Sequence, residues 1–162
     1  MNSKSLSIAL IAVFSIFLLA NCSNSTSTSA TNQSISFLDK GAVVPDPVST
    51  LVTVNQQFVE YSTSKSGVVR NSWSSVISPD DFLRLMSIVD HFGLLDAPDP
   101  VLPQGVTGCT GGQGIRIVTT RDSRIDTLNI SGLIECYRAY WPAGLDSLIQ
   151  FEASIVNKYK PK

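Results

Sequence analysis

Fifteen residues from Leu6 to Ala20, apolar except for Ser7 and Ser15, run into Leu19-Ala20-Asn21-Cys22 and take the start of the chain out of any fold. Met1 to Lys4 supply a weakly positive beginning. The apolar stretch is shorter than the roughly 20 residues needed to cross a bilayer core, and no basic stop-transfer cluster follows it. The leader therefore reads as a cleaved signal and not as a permanent span. Leucine three residues before Cys22 and alanine two before it form a lipobox. Asn21 stands where glycine, alanine or serine is usual. Cleavage before Cys22 frees its thiol to carry lipid, which predicts an acylated protein held on the bacterial cell envelope. Ser23, in place of aspartate, directs it to the outer membrane where the host has two.

Cysteine parity agrees with that reading. Three cysteines are an odd number for an exported chain. With Cys22 given to lipid, Cys109 and Cys136 remain as a pair in an oxidising compartment. A bridge between them closes a loop of about 28 residues, worth roughly 3–4 kcal/mol by loop-closure entropy. A metal site is not expected, because zinc takes four ligands at characteristic spacings and the chain has two isolated cysteines and one histidine.

From Ser23 to Ser34 there is no large apolar residue and no charge. Such a segment has nothing to bury against the entropy of ordering and is expected to be a disordered tether. The resulting organisation is a signal peptide over 1–21, a lipidated tether over 22–41 and one folded domain over 42–162. The net charge is −1 with Lys4 and −2 once the leader is gone. With no basic run, this argues against nucleic acid and against electrostatic adhesion to anionic lipid.

Strands are predicted at Leu51–Val54, Phe58–Tyr61 and Val68–Ile77, the last two separated by the turn residues Ser64-Lys65-Ser66-Gly67. A helix follows with clear punctuation. Ser78 caps it, Pro79 suits its first position, and Asp80 and Asp81 complement the positive end of its dipole. Phe82, Leu85, Met86, Val89 and Phe92 recur at helical spacing before Gly93 stops it. Beyond a proline-punctuated loop and a glycine-rich stretch from Gly105 to Gly114, Ile115–Thr119 and Arg124–Ile130 form a hairpin over Thr120-Arg121-Asp122-Ser123. Pro142 opens a last helix with Leu145, Leu148, Phe151, Ile155 and Tyr159 on one face. This order, β-β-β-α-β-β-α, predicts an α+β fold: an antiparallel sheet of about five strands with both helices on one side.

Catalytic constellations are missing from this pattern. His91, the only histidine, falls in the last turn of the first helix, where the dipole favours positive charge. A Ser-His-Asp triad would have to recruit it, and there is no Gly-x-Ser-x-Gly elbow. The Gly108–Gly114 stretch lacks the lysine and following helix of a phosphate loop, and reads as a turn around Cys109. The expectation is a non-catalytic binding or structural domain without cofactor, with an unrecognised hydrolase using His91 as an alternative. Tyr137, Arg138, Tyr140 and Trp141, beside Cys136, have the composition of an interaction rim for an envelope protein or protease.

The helix start Ser78-Pro79-Asp80-Asp81-Phe82, the exit Phe92-Gly93-Leu94-Leu95, the hairpin that follows and the Pro142-Ala143-Gly144-Leu145 helix start resemble a group of small bacterial domains. Many of these sit on lipoproteins, and the group includes the emfourin-like inhibitors of thermolysin-type metalloproteases. The similarity spans about residues 50 to 160. It implies an α+β fold and, for activity, inhibition of such a protease as a further alternative.

Overall fold

The first strand of the sheet lies where the sequence reading places the tether. In a computed structural model, which describes residues 32–40, 47–108, 114–132 and 137–162, β1 runs from Gln33 to Asp39. It is followed by β2 (Val48–Asn55), β3 (Phe58–Lys65), β4 (Val68–Val76), helix α1 (Pro79–His91), β5 (Ile115–Arg121), β6 (Arg124–Ile130), a single 3₁₀ turn (Arg138–Tyr140) and helix α2 (Leu145–Tyr159). The sheet order is β4-β3-β2-β1-β5-β6, antiparallel throughout. The fold is α+β as expected, with six strands in place of about five. The sixth is β1, and it is interior.

Two corrections follow from β1: the tether does not extend to residue 41, and the folded unit begins at Asn32, not at residue 42. Side chains on a strand alternate between faces, so a half-buried strand needs only every second residue apolar. Ile35 and Phe37 are buried, whereas Ser34 and Ser36 lie on the other face. There the Ser36 and Thr53 hydroxyls are hydrogen-bonded at 3.0 Å. The serine-rich composition of the tether thus runs on into a strand whose polar half it supplies. The leader, and the tether as far as residue 31, lie outside the described residues.

Local chemistry sets the turns. Between β3 and β4, Ser66 and Gly67 have φ of 52° and 77°. Positive values at both central residues are what a two-residue hairpin connection of the primed kind requires. The β5–β6 turn is tighter than expected, reduced to Asp122 and Ser123. Asp122 takes a φ of 55°; its N–H donates to the Asn32 carbonyl at 2.9 Å, and its carboxylate accepts the Asn32 N–H at 3.2 Å. The start of β1 is thereby tied to the hairpin beside it.

One face of the sheet carries Ile35, Phe37, Val52, Val54, Val59, Ile117, Leu128 and Ile130, all buried beneath the helices. Helix α1 contributes Phe82, Leu85, Met86 and Val89, and α2 contributes Leu145, Leu148 and Ile155. Phe92 departs from the expected stripe. It is 40% exposed and caps α1, with its ring against Gly144. A Cβ on Gly144 would stand 2.1 Å from that ring, and its φ of 81° is itself unfavourable for other residues, so glycine is required there.

The two helices lie antiparallel, and three contacts in order show it. Asp81 meets Lys158 and Tyr159, the Arg84 guanidinium sits 4.8 Å over the Phe151 ring, and Phe92 meets Gly144. Ser78 caps α1 as predicted, its hydroxyl accepting the Asp81 N–H at 3.3 Å. Tyr159 gathers this corner. Its hydroxyl donates to Asp81 and accepts the Ser78 N–H at 2.9 Å, while its carbonyl accepts the Ser75 hydroxyl at 2.7 Å. Tyr159→Phe keeps the ring but strips partners from a carboxylate and a backbone N–H. It should cost about 1–2 kcal/mol in urea denaturation, and an unchanged midpoint would show that Asp81 and Ser78 find other partners.

Candidate functional site

The predicted site residues fall in three groups. Cys22, Cys109 and Cys136 lie outside the described residues. His91 is exposed and meets the Phe92 ring edge-on, at 4.8 Å between centroids. Its neighbour Asp90 pairs with Arg121 from β5. Among the described residues, no three His, Cys, Asp or Glu side chains are gathered to hold a metal ion, and no helix is long and apolar enough to cross a membrane.

The aromatic rim is built around the 3₁₀ turn that leads into α2. Trp141 packs on the core, and the Arg138 guanidinium lies 5.4 Å over its ring while pairing with Asp146 at 3.2 Å. The Tyr137 hydroxyl donates to the Thr107 carbonyl at 2.8 Å, tying the turn to the long loop after α1. Three of the four side chains therefore hold this segment to its own domain. Tyr140 is 40% exposed, with its ring tilted against that of Tyr137 at 6.1 Å between centroids, and Arg138 is exposed as well.

A pair of carboxylates under α2 escaped the sequence reading. Position 152 falls between Leu148 and Ile155 on the stripe of α2 that faces the sheet, where an apolar residue is expected. Asp39 ends β1 on the same face as Ile35 and Phe37. Burial, and secondarily the negative charge of Asp39, push the Glu152 carboxyl up to about 7. The available signal was the spacing itself, since 145, 148, 152 and 155 mark one helical face.

This pair gives the domain a pH dependence of definite sign. An unfolded glutamate titrates near 4.5 and the folded one near 7. Between those values the folded state keeps a proton that the unfolded state has released, so stability is greatest below 4.5 and falls as pH rises through 7. Across the window the loss is about 3 kcal/mol. Glu152→Gln should therefore melt close to wild type at pH 5 and clearly above it at pH 8. Parallel melting profiles at the two pH values would contradict this assignment.

Among the described residues, no element covers the opposite face of the sheet. In register across it stand Ser74, Glu60, Thr53, Ser36, Val118 and Thr127, and in the next row Ser72, Ser62, Leu51, Leu38, Arg116 and Asn129. Toward β4 these rows border an open groove of about 380 Å³, lined by Leu51, Thr53, Glu60, Tyr61, Ser62, Ser72, Trp73 and Ser74. Tyr61 and Trp73 belong to it through their backbone, since their rings stack on each other at 5.4 Å and pack against the core on the other face. Its chemistry is one carboxylate among hydroxyl groups. Each hydroxyl both donates and accepts, whereas the carboxylate only accepts.

The two sheet edges are protected differently. Along β6, Asp99 from the loop after α1 accepts the Asn129 N–H at 2.7 Å and its side-chain amide at 3.1 Å, and Asp96 pairs with Arg124 at 3.3 Å. On β4, Asn71 faces Thr63 and Val69 faces Ser64, which leaves Arg70 as the extra residue of a bulge. A bulge and a charge are both devices that discourage pairing with a further strand. Comparison of the chain with protein-family models and with curated proteins finds no match.

Proposed function

We propose that this chain is a lipid-anchored protein of the bacterial cell envelope whose α+β domain works by contact through the bare face of its sheet. One observation carries the contact reading: among the described residues both helices cover the same face, and the other presents a grooved, hydroxyl-rich surface of strands. Charged side chains around the C-terminal end of α1 and the β5–β6 hairpin are paired, Asp90 with Arg121, and Asp96 and Asp126 with Arg124. His91 rests against Phe92. General acid–base chemistry needs partners within hydrogen-bond reach of a reacting group, and these contacts are structural.

The anchor reading rests on the lipobox at Cys22 and on cysteine parity. Support for the bridge comes from the hairpin between the other two cysteines: its outermost pair is Ile115 with Ile130, and Cys109 and Cys136 stand equally far along the chain from that pair. One experiment reads both. Intact-mass spectrometry of protein from membranes should find acyl mass on the N-terminal cysteine and no alkylated thiol until a reductant is added, when two appear. Cys22→Ala should leave the membrane fraction and lose the acyl mass. Two thiols reacting before reduction would remove the bridge, and acylated Cys22→Ala would remove the anchor.

The contact reading has its own test. A photo-crosslinking amino acid placed at Ser62, in the groove, should join the full-length protein to an envelope component in intact cells. The same group at Leu83, exposed on the outer side of α1, should not. Equal yields at the two positions, or none at Ser62, would sink the assignment of this face.

A further inference from the structure

We infer that the groove on the bare face binds an uncharged oligosaccharide lying across the strands. The inference rests on the reading that this face is the one that makes contact, and it names what is contacted.

The lining excludes other classes of ligand. Among the described residues that line it, Glu60 is the only charged one, so an anion such as a phosphate or an acidic polymer meets repulsion there. Among the side chains that the described lining turns into the groove, Leu51 alone is fully apolar, so a ligand held there must bring polar groups of its own. A peptide strand would have to add to β4, whose outer edge is broken by the Arg70 bulge.

A sugar fits this lining, and a cation would use the Glu60 carboxylate alone and leave the hydroxyl row without a role. Vicinal hydroxyls donate well to a carboxylate, and the Glu60 carboxylate stands in register between Thr53 and Ser74, each offering a hydroxyl. Phe58, two residues from Glu60 on the same face, exposes 39% of its surface and supplies an apolar ring for the C–H face of a pyranose. Its backbone is held in place, because the Asn55 side-chain oxygen accepts the Phe58 N–H at 2.8 Å. The row continues from Glu60 through Thr53 and Ser36 at the strand spacing of about 4.8 Å, with the Ser36 and Thr53 hydroxyls already oriented by their mutual hydrogen bond. A chain of sugar units can follow this row, and a single small polar molecule would use only part of it.

The test titrates full-length protein in detergent with the neutral hexasaccharides of the cello, chito and malto series, with polygalacturonate as an anionic control, and follows heat and backbone amide shifts. At least one neutral series should bind saturably and shift β2, β3 and β4, and polygalacturonate should not. Glu60→Gln should weaken binding about tenfold, the size expected for loss of a charge-assisted hydrogen bond. Ser62→Trp, which fills the groove, should abolish it. Both positions lie outside the core, and a wild-type melting curve for each variant verifies the fold. Leu83→Ser, on the outer side of α1, should bind as wild type does. The inference is overturned by the absence of saturable binding in all three series, by equal binding of polygalacturonate, or by affinities that neither groove variant changes. Crosslinking at Ser62 without oligosaccharide binding would overturn this inference and leave the contact reading standing; loss of both would remove both.

Discussion

The position of β1 is the constraint on which the rest of the structure depends. β2, β3 and β4 form one antiparallel meander leading into α1, and β5 and β6 form a separate hairpin leading toward α2. β1 alone joins them, pairing with β2 through Ser34–Asn55 and with β5 through Gln33–Arg121. Without it, two small sheets would each expose an unpaired edge, and Ile35 and Phe37 would be missing from the middle of the core. Pairing β1 with β5 also brings together residues about 80 positions apart. Closing so large a loop is entropically costly, and the contact comes late in the chain's synthesis. The helices reinforce the join, because Asp81, Arg84 and Phe92 of the first half meet Tyr159, Phe151 and Gly144 of the second. A fragment beginning at residue 40 would lack the strand that makes this one domain.

Much of the architecture was legible in the sequence, and the reasons are local. The cap at Ser78, proline at the first helical position and acidic residues in the first turn are short-range signals, and they place α1 correctly. The hairpin from Ile115 to Ile130 shows itself through alternation and turn residues. β1 did not, because its serines belong equally to a tether composition and to a strand's polar face; only its partners decide between the two. Glu152 was hidden for the converse reason. Its neighbours mark it as facing the sheet, yet its charge reads as a surface residue until Asp39 and α2 are brought together by the fold. The rim residues Arg138 and Trp141 have the composition of a contact surface, and here they contact each other.

The bare face is also explained by what the strands carry. A third layer could cover it only by burying Ser36, Thr53, Ser62, Ser72 and Ser74 along with Glu60. Each hydroxyl taken from water without a new hydrogen bond costs on the order of 1–3 kcal/mol, and an unpaired carboxylate costs more. A helix presenting leucines to such a surface would lose more than it gained. Water satisfies these groups, and so does a partner that brings hydroxyls of its own. The hydroxyls and Glu60 break up the apolar surface that Leu51, Phe58 and Val76 expose on the same face. The protected edges act in the same direction, since Asp99 along β6 and the Arg70 bulge on β4 restrain the sheet from growing sideways. Among the described residues both edges are guarded and one face is filled by helices, which leaves the hydroxyl-bearing face as the broad open surface of the sheet.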